Sequence, residues 1–315
     1  MQTLQTIFFL YIIFFMTKHT TSLLSSAGLL LAAAIWGFAF VIVKDSLDYI
    51  GAVWMIAFRF TIAALALTII YCKKLKFLTK KAWIHGGILG FYLFTAYLVQ
   101  TIGCNYTTAG KNAFLTTSYV FLIPVFLWII EKRRPAFYIF LCAIMSITGI
   151  GMLALGTSDT GTVNIGDILT LICGIFYAIH IIFTSKYNEH HDPILLTVLQ
   201  FLLASIFAWI CAPIFDGAFP IEQIQNPRVV ISMLYLGLLS TMVCFVLQNV
   251  GLKYLPSAWA SLLLSFESVF GVIFSTIVLG EKITLRMGFG CALIFAAVVL
   301  AQVLPEILGE RGSRV

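Results

Sequence analysis

Charge is scarce in this 315-residue sequence: Asp, Glu, Lys and Arg make up 10% of it, against about 25% in an ordinary soluble domain. Hydrophobic residues make up 61%, more than the core of a water-solvated globule needs, so the solvent for most of the chain is lipid. The net charge of +6 is spread over short connections and forms no basic stripe, which excludes nucleic acid as a partner. The seven cysteines are scattered, with no C-x-x-C, so neither a disulfide framework nor a zinc site is present in the pattern; they read as small apolar packing residues. No G-x-x-x-x-G-K-[ST] occurs, which excludes an ATP motor of that kind. Intramembrane acids and histidines are single and dispersed, without paired carboxylates or a Ser–His set. An intramembrane lipid-modifying enzyme is therefore the weaker alternative. A non-transporting membrane subunit is weaker too, because the outer connections are short. Nothing in the pattern asks for a cofactor or a metal; Glu189-His190-His191-Asp192 lies in one short turn where adjacent side chains diverge.

Long apolar runs are what the sequence has instead. Ten are long enough to cross a bilayer as helices: 25–43, 51–71, 82–103, 109–130, 136–155, 165–185, 194–215, 229–251, 257–279 and 287–303. Helix is required because a backbone in lipid must satisfy its own polar groups. The fold class expected is all-α integral membrane. Residues 1–24 form an N-terminal extension, and its apolar part, Ile7 to Met16, is too short to span and lacks a signal peptide's positive flank. It reads as a surface-lying segment or as sequence upstream of the native start. Residues 304–315 form a tail.

Lys and Arg orient the spans. With the N-terminus in the cytoplasm, 13 of them fall on inside connections and tails and 5 outside, with Arg59 inside a span. Both termini are then cytoplasmic.

The two halves echo each other. Tyr97-Leu98-Val99-Gln100-x-x-Gly103-x-x-Tyr106 returns 148 positions later as Phe245-Val246-Leu247-Gln248-x-x-Gly251-x-x-Tyr254. Leu89-Gly90 is answered by Leu236-Gly237, Glu131-Lys132 by Glu281-Lys282, and Trp36 loosely by Phe176. Repeats at 25–155 and 165–303, joined by a loop at 156–164, hold five spans each. An odd number per half makes the repeats insert in opposite directions, an architecture typical of carriers that open alternately to the two sides.

Several of these residues also resemble the EamA type of the drug/metabolite transporter superfamily, over about residues 25–303. Ile35-Trp36-Gly37-x-x-Phe40-Val41-x-x-Lys44, Phe58-Arg59-Phe60 and Phe266-Glu267-Ser268-Val269-Phe270 with Gly280-Glu281-Lys282 are similar to its W-G-x-x-F-x-x-x-K, R-F and E-P-V-F…G-E patterns. Ser268 stands where the family usually has proline, and Ile130-Glu131 keeps only the glutamate of the first-half G-E. The resemblance implies a ten-helix carrier with a central cavity, moving amino acids, other small metabolites or drugs, often outward, and by family habit in a bacterial inner membrane.

Charge inside lipid costs at least about 2.5–3.5 kcal/mol at a helix centre and marks functional candidates. Arg59 lies roughly 12 Å into its span and Glu267 roughly 15 Å, at 1.5 Å per residue, so both are near the midplane. Arg59 suits an anionic substrate group through its two-pronged donors, or a packing contact between helices. Glu267 suits a substrate amine or proton coupling. Gln100 in the first half is answered by Gln248 and Asn249 in the second, as cavity lining or as hydrogen-bonding glue. Trp36 and Tyr97 are candidates for the cavity wall. The partners expected are a small-molecule solute and the lipid bilayer.

Overall fold

The computed structural model describes residues 2–107, 109–132, 136–154, 164–279 and 285–307. Most of the seam between the halves, Glu281-Lys282 and the end of the tail lie outside them. Among the described residues the fold is all-α, with no strand: α1 Gln2–Ser46, α2 Ala52–Ile70, α3 Lys80–Tyr106, α4 Ala109–Thr116, α5 Tyr119–Glu131, α6 Phe137–Ala154, α7 Ile165–Asn188, α8 Pro193–Phe215, α9 Pro227–Leu234, α10 Cys244–Tyr254, α11 Ser257–Leu264, α12 Phe266–Leu279 and α13 Leu285–Ile307. A π-helical stretch, Tyr235–Val243, joins α9 to α10 in one rod. Among the described residues six helices are long and apolar enough to cross a membrane, Pro227–Tyr254 among them, and Tyr119–Ile130, Phe137–Met152 and Gly288–Ala301 are shorter apolar helices. α1 begins at Gln2 and runs without a break through the extension into the first expected span.

Local signals set the ends. Thr79, Asn164, Asp192 and Asn226 cap the helices they precede with side-chain oxygens, Asn164 in a reciprocal capping box with Asp167. Pro193 and Pro227 occupy first-turn positions, where a missing N–H costs nothing.

Asp192 also receives the Lys74 ammonium at 2.9 Å. Burial alone would push its carboxyl up, but Lys74 and the amides of Ile194 and Leu195 outweigh it and hold it below the usual carboxylate range. A folded value below the unfolded one contributes stability that is present above the unfolded value and lost as pH falls through the folded one. Asp192→Ala should therefore lower thermal stability by about 1 kcal/mol at neutral pH. The difference from the parent should shrink below about pH 4, as read by unfolding midpoints across pH.

Two of the expected spans are not single helices. The run 109–130 breaks between α4 and α5, where Ser118 N bonds to Leu115 O and Val120 N to Thr117 O in tight turns. The run 257–279 breaks at Ser265, whose hydroxyl bonds back to Leu262 O at 2.6 Å. Side-chain hydroxyls that take carbonyls out of the helical ladder bend or break a helix. Thr117 and Ser265 are 148 residues apart, the same shift as the repeat, so the two breaks are equivalent.

The principal helix interfaces join the first half to the second: α3 packs on α7 and α8, α6 on α13, α2 on α8, and α1 on α12 and α10. The core runs across these joints and includes Phe60, Tyr97, Phe201 and Phe245. Neither half hides its apolar surface without the other, and the two breaks face the centre of the interleaved bundle.

Candidate substrate cavity

A cavity opens at that centre, with about 60 Å³ accessible to the centres of water-sized molecules. One water needs roughly 10–15 Å³ by this measure, so the space suits a few waters or a small solute. Trp36, Arg59, Tyr97, Gln100, Gln248 and Glu267 all line it. Asn249, the other amide expected there, is one helix step away and is not among the lining residues. Asn249 is fully buried outside the cavity lining, with its side-chain amide donating to Thr197 Oγ1 at 2.7 Å and its backbone carbonyl accepting from Asn188.

Arg59 is held by uncharged groups. Its Nε donates to Thr241 Oγ1 at 2.9 Å, its Nη2 to Ser240 Oγ at 3.1 Å, and the guanidinium lies 4.5 Å from the Tyr97 ring centroid. The fork has five N–H donors, and these two bonds leave the larger share of them for a ligand. Both hydroxyls come from the π-helical stretch, and the Ser240 carbonyl accepts the Trp36 indole N–H at 2.7 Å. Wide helical turns of this kind recur at functional sites.

Glu267 sits on the first turn of α12, just past the break, and is 4% exposed. Its Oε1 is 3.0 Å from Thr117 Oγ1 and 3.4 Å from the Tyr119 hydroxyl. Thr117 has a single proton, and its closest acceptor is Ala113 O at 2.7 Å. A protonated Glu267 completes this chain by donating to Thr117, whereas an ionised one competes for Thr117's proton. Ion pairs join Lys74 to Asp192 and Arg228 to Asp45 among the described residues, and neither pair includes Arg59 or Glu267. An arginine and a carboxyl thus face one buried space without neutralising each other.

The two glutamines differ. Gln100 is tied at both ends, accepting from Tyr177 OH and donating to Thr116 Oγ1, each at 3.0 Å. The Gln248 amide nitrogen has no hydrogen-bond partner among the described residues and remains free for a ligand. Aromatic edges close the floor: Trp36 meets Phe245 at 5.2 Å and Tyr97 meets Tyr177 at 5.7 Å between centroids. Toward the ends of α1 and α3 the lining continues through Val43 and Cys104. There Lys44 Nζ donates to the Cys104 and Thr107 carbonyls at 2.7 and 3.0 Å, so its charge meets the negative end of α3.

Sequence reading passed over Thr117, Ser240 and Thr241, which hold the charged pair in place, and Tyr177, which holds Gln100. The repeat carried a usable signal for the Glu267 side: a shift of 148 aligns Thr117 with Ser265 and Tyr119 with Glu267. No comparable signal marks Ser240 and Thr241, whose role depends on the π-helical turn.

Comparisons with known proteins bear on this geometry. The profile of the EamA-like transporter family matches residues 23–155 and again residues 164–302. A protein of Archaeoglobus fulgidus described as an uncharacterized transporter is 32% identical over 288 residues, covering 89% of this chain and 86% of that one. The uncharacterized transporter YoaV of Bacillus subtilis is 24% identical over 286 residues, covering 87% of this chain and 94% of its own. A crystal structure of another protein superposes with a TM-score of 0.73 at 17% identity over 90% of this chain and 98% of that one, a likeness of fold alone.

Proposed function

Because the chain belongs to the EamA-like transporter family and is an integral membrane protein, we propose that it is a secondary carrier for a small organic solute bearing both a carboxylate and an amine, such as an amino acid. The observation that carries this reading is the pair Arg59 and Glu267, lining one buried cavity with no ion pair to each other or to another described charge. The free forks of Arg59 suit the carboxylate. Glu267 suits the ammonium, and Gln248 supplies a further donor.

A lone carboxyl in lipid must be compensated, and either a proton or the solute's amine does so. Exchange of one for the other at Glu267 couples solute movement to protons. In this reading the chain forms ten spans in two inverted five-helix repeats, with the breaks at Thr117 and Ser265 at the midplane. Broken helices at repeat interfaces are where carriers commonly place their sites. Rocking of the repeats exposes the cavity to each side in turn, in the direction of export, in a bacterial inner membrane with both termini in the cytoplasm.

The test is transport into sealed vesicles. The purified protein is reconstituted and screened with pooled labelled amino acids and other metabolites, with and without a pH gradient. Saturable uptake that quickens when unlabelled solute is loaded on the far side is the expected result. Folded protein that moves no pool would overturn the reading. Arg59→Lys keeps the charge and loses the fork. It should raise the KM of a carboxylate-bearing solute roughly tenfold, from loss of one charge-assisted bond, and leave the KM of the matching amide nearly unchanged.

A further inference from the structure

Six of the buried side-chain polar atoms that lack a hydrogen-bond partner among the described residues lie together on α7, α8 and α10: His180 Nδ1, Thr184 Oγ1, Asn188 Oδ1, Gln200 Nε2, Gln248 Nε2 and Asn249 Oδ1. All six side chains are 3% exposed or less. His180, Thr184 and Asn188 are spaced four apart, one stripe along a single face of α7 covering about 12 Å at 1.5 Å per residue. The stripe starts at the cavity, where Ile181 and Phe245 are lining residues and the His180 and Phe245 rings are 6.0 Å apart. It ends with α7 at Asn188.

Some of these side chains are bonded at their other ends. His180 Nε2 and Gln200 Oε1 are 2.8 Å apart, Asn188 donates to the Asn249 backbone carbonyl at 2.7 Å, and Asn249 donates to Thr197 Oγ1 at 2.7 Å. His180, Asn188, Gln200 and Asn249 are therefore half satisfied, and Thr184 and Gln248 make no side-chain hydrogen bond among the described residues. An orphaned buried polar group costs about 1–3 kcal/mol, and six in one seam is a poor solution for glue alone.

The repeat says what the seam corresponds to. Shifting by 148 takes Gln100, Thr101 and Cys104, which line the cavity, to Gln248, Asn249 and Leu252. Shifting by the 140 that aligns Trp36 with Phe176 takes the cavity residue Phe40 to His180, and takes Lys44, next to the lining residue Val43, to Thr184. Lys44 donates to the Cys104 carbonyl, and next to Thr184 the Ser185 hydroxyl donates to the equivalent Leu252 carbonyl at 3.3 Å. Apart from Gln248, which lines the cavity itself, the seam is thus the second-repeat counterpart of that part of the lining, packed closed.

Resting on the alternating reading above, we propose that this seam is the closed half of the solute path, and that it becomes the cavity wall when the carrier opens at the end where α7 meets α8. Its groups are neutral donors and acceptors, so the solute that passes them is a hydrogen-bonding one rather than a purely apolar drug. Opening pairs the orphaned groups with water and solute, which offsets their cost in the shut state. Asn249, outside the present cavity, lines the path in that state.

The test is thiol accessibility in lipid nanodiscs. A charged, membrane-impermeant methanethiosulfonate is applied to four variants of the full chain: Thr184→Cys and Asn188→Cys in the seam, Gln100→Cys in the cavity, and Ala204→Cys in the packed core of α8. Modification is read position by position by peptide mass spectrometry, so the native cysteines stay. The expected result is labelling of Gln100→Cys and of at least one seam variant, the latter about tenfold or more faster than Ala204→Cys. A state populated at only about 1% is sampled many times during minutes of exposure. Labelling at Gln100→Cys with seam variants as slow as Ala204→Cys would overturn the proposal and leave the cavity in place. No labelling at Gln100→Cys either would overturn the cavity reading and the seam with it.

Discussion

Glu267→Gln is expected to flatten the pH profile of transport and to lower the rate at the parent's optimum roughly ten- to hundredfold, the range for losing one hydrogen bond to a charged group. Glutamine keeps the shape of the side chain and an oxygen for Thr117 and Tyr119, which lie 3.0 and 3.4 Å from Glu267 Oε1. What it removes is the ability to exchange a proton for a solute cation. Packing around α12 should survive, so thermal unfolding of the variant should stay near that of the parent. Uptake in vesicles at a series of internal and external pH values checks this. A profile that keeps the parent's shape would remove Glu267 from coupling. A flat profile with an unchanged KM for solutes lacking the amine would tie the loss to ammonium recognition.

Gly37→Val should abolish transport through a different cause. A Cβ at Gly37 would stand 2.7 Å from the Gly271 amide nitrogen, 2.8 Å from the Glu267 carbonyl and 2.8 Å from Phe270 Cβ. Two of these are backbone atoms and cannot swing aside, so α1 and α12 must separate and Glu267 must move with its helix. Overpacking of this kind typically costs about 1–3 kcal/mol, seen as a lower unfolding midpoint in detergent. Gly288→Ala is the control: a Cβ there meets nothing within 4 Å, and α13 should gain up to about 1 kcal/mol from better helix propensity. Equal midpoints for Gly37→Val and the parent would mean that α1 and α12 do not approach as closely as this contact requires.

How much of the site was legible depends on what each residue's signal measures. Arg59 and Glu267 announced themselves because a charge in an apolar run has one cheap location, a shared interior, and counting residues along a helix gives its depth. Gln100 and Gln248 were found through the repeat. Gln248 and Asn249 are adjacent, at the same depth and chemically alike, yet only Gln248 reaches the cavity. A single residue turns a helix by about 100°, and hydropathy in lipid is nearly the same all round, so rotation left no trace in the pattern. The mid-span breaks were hidden for a related reason. Hydroxyl residues such as Thr117 and Ser265 are common in membrane helices. Whether they bond back to the preceding turn or outward to a neighbour depends on what that neighbour offers.

The sequence by itself determined the solvent, the all-α class and the twofold repetition. Those follow from composition and from position along the chain, and both are properties of one strand. Which faces of the helices meet was decided by the tertiary structure. It set the π-helical turn that lends Ser240 and Thr241 to Arg59, and it buried His180, Thr184 and Asn188 outside the cavity lining. These depend on close packing between segments on average far apart in the chain, where a few tenths of an ångström select one arrangement over another.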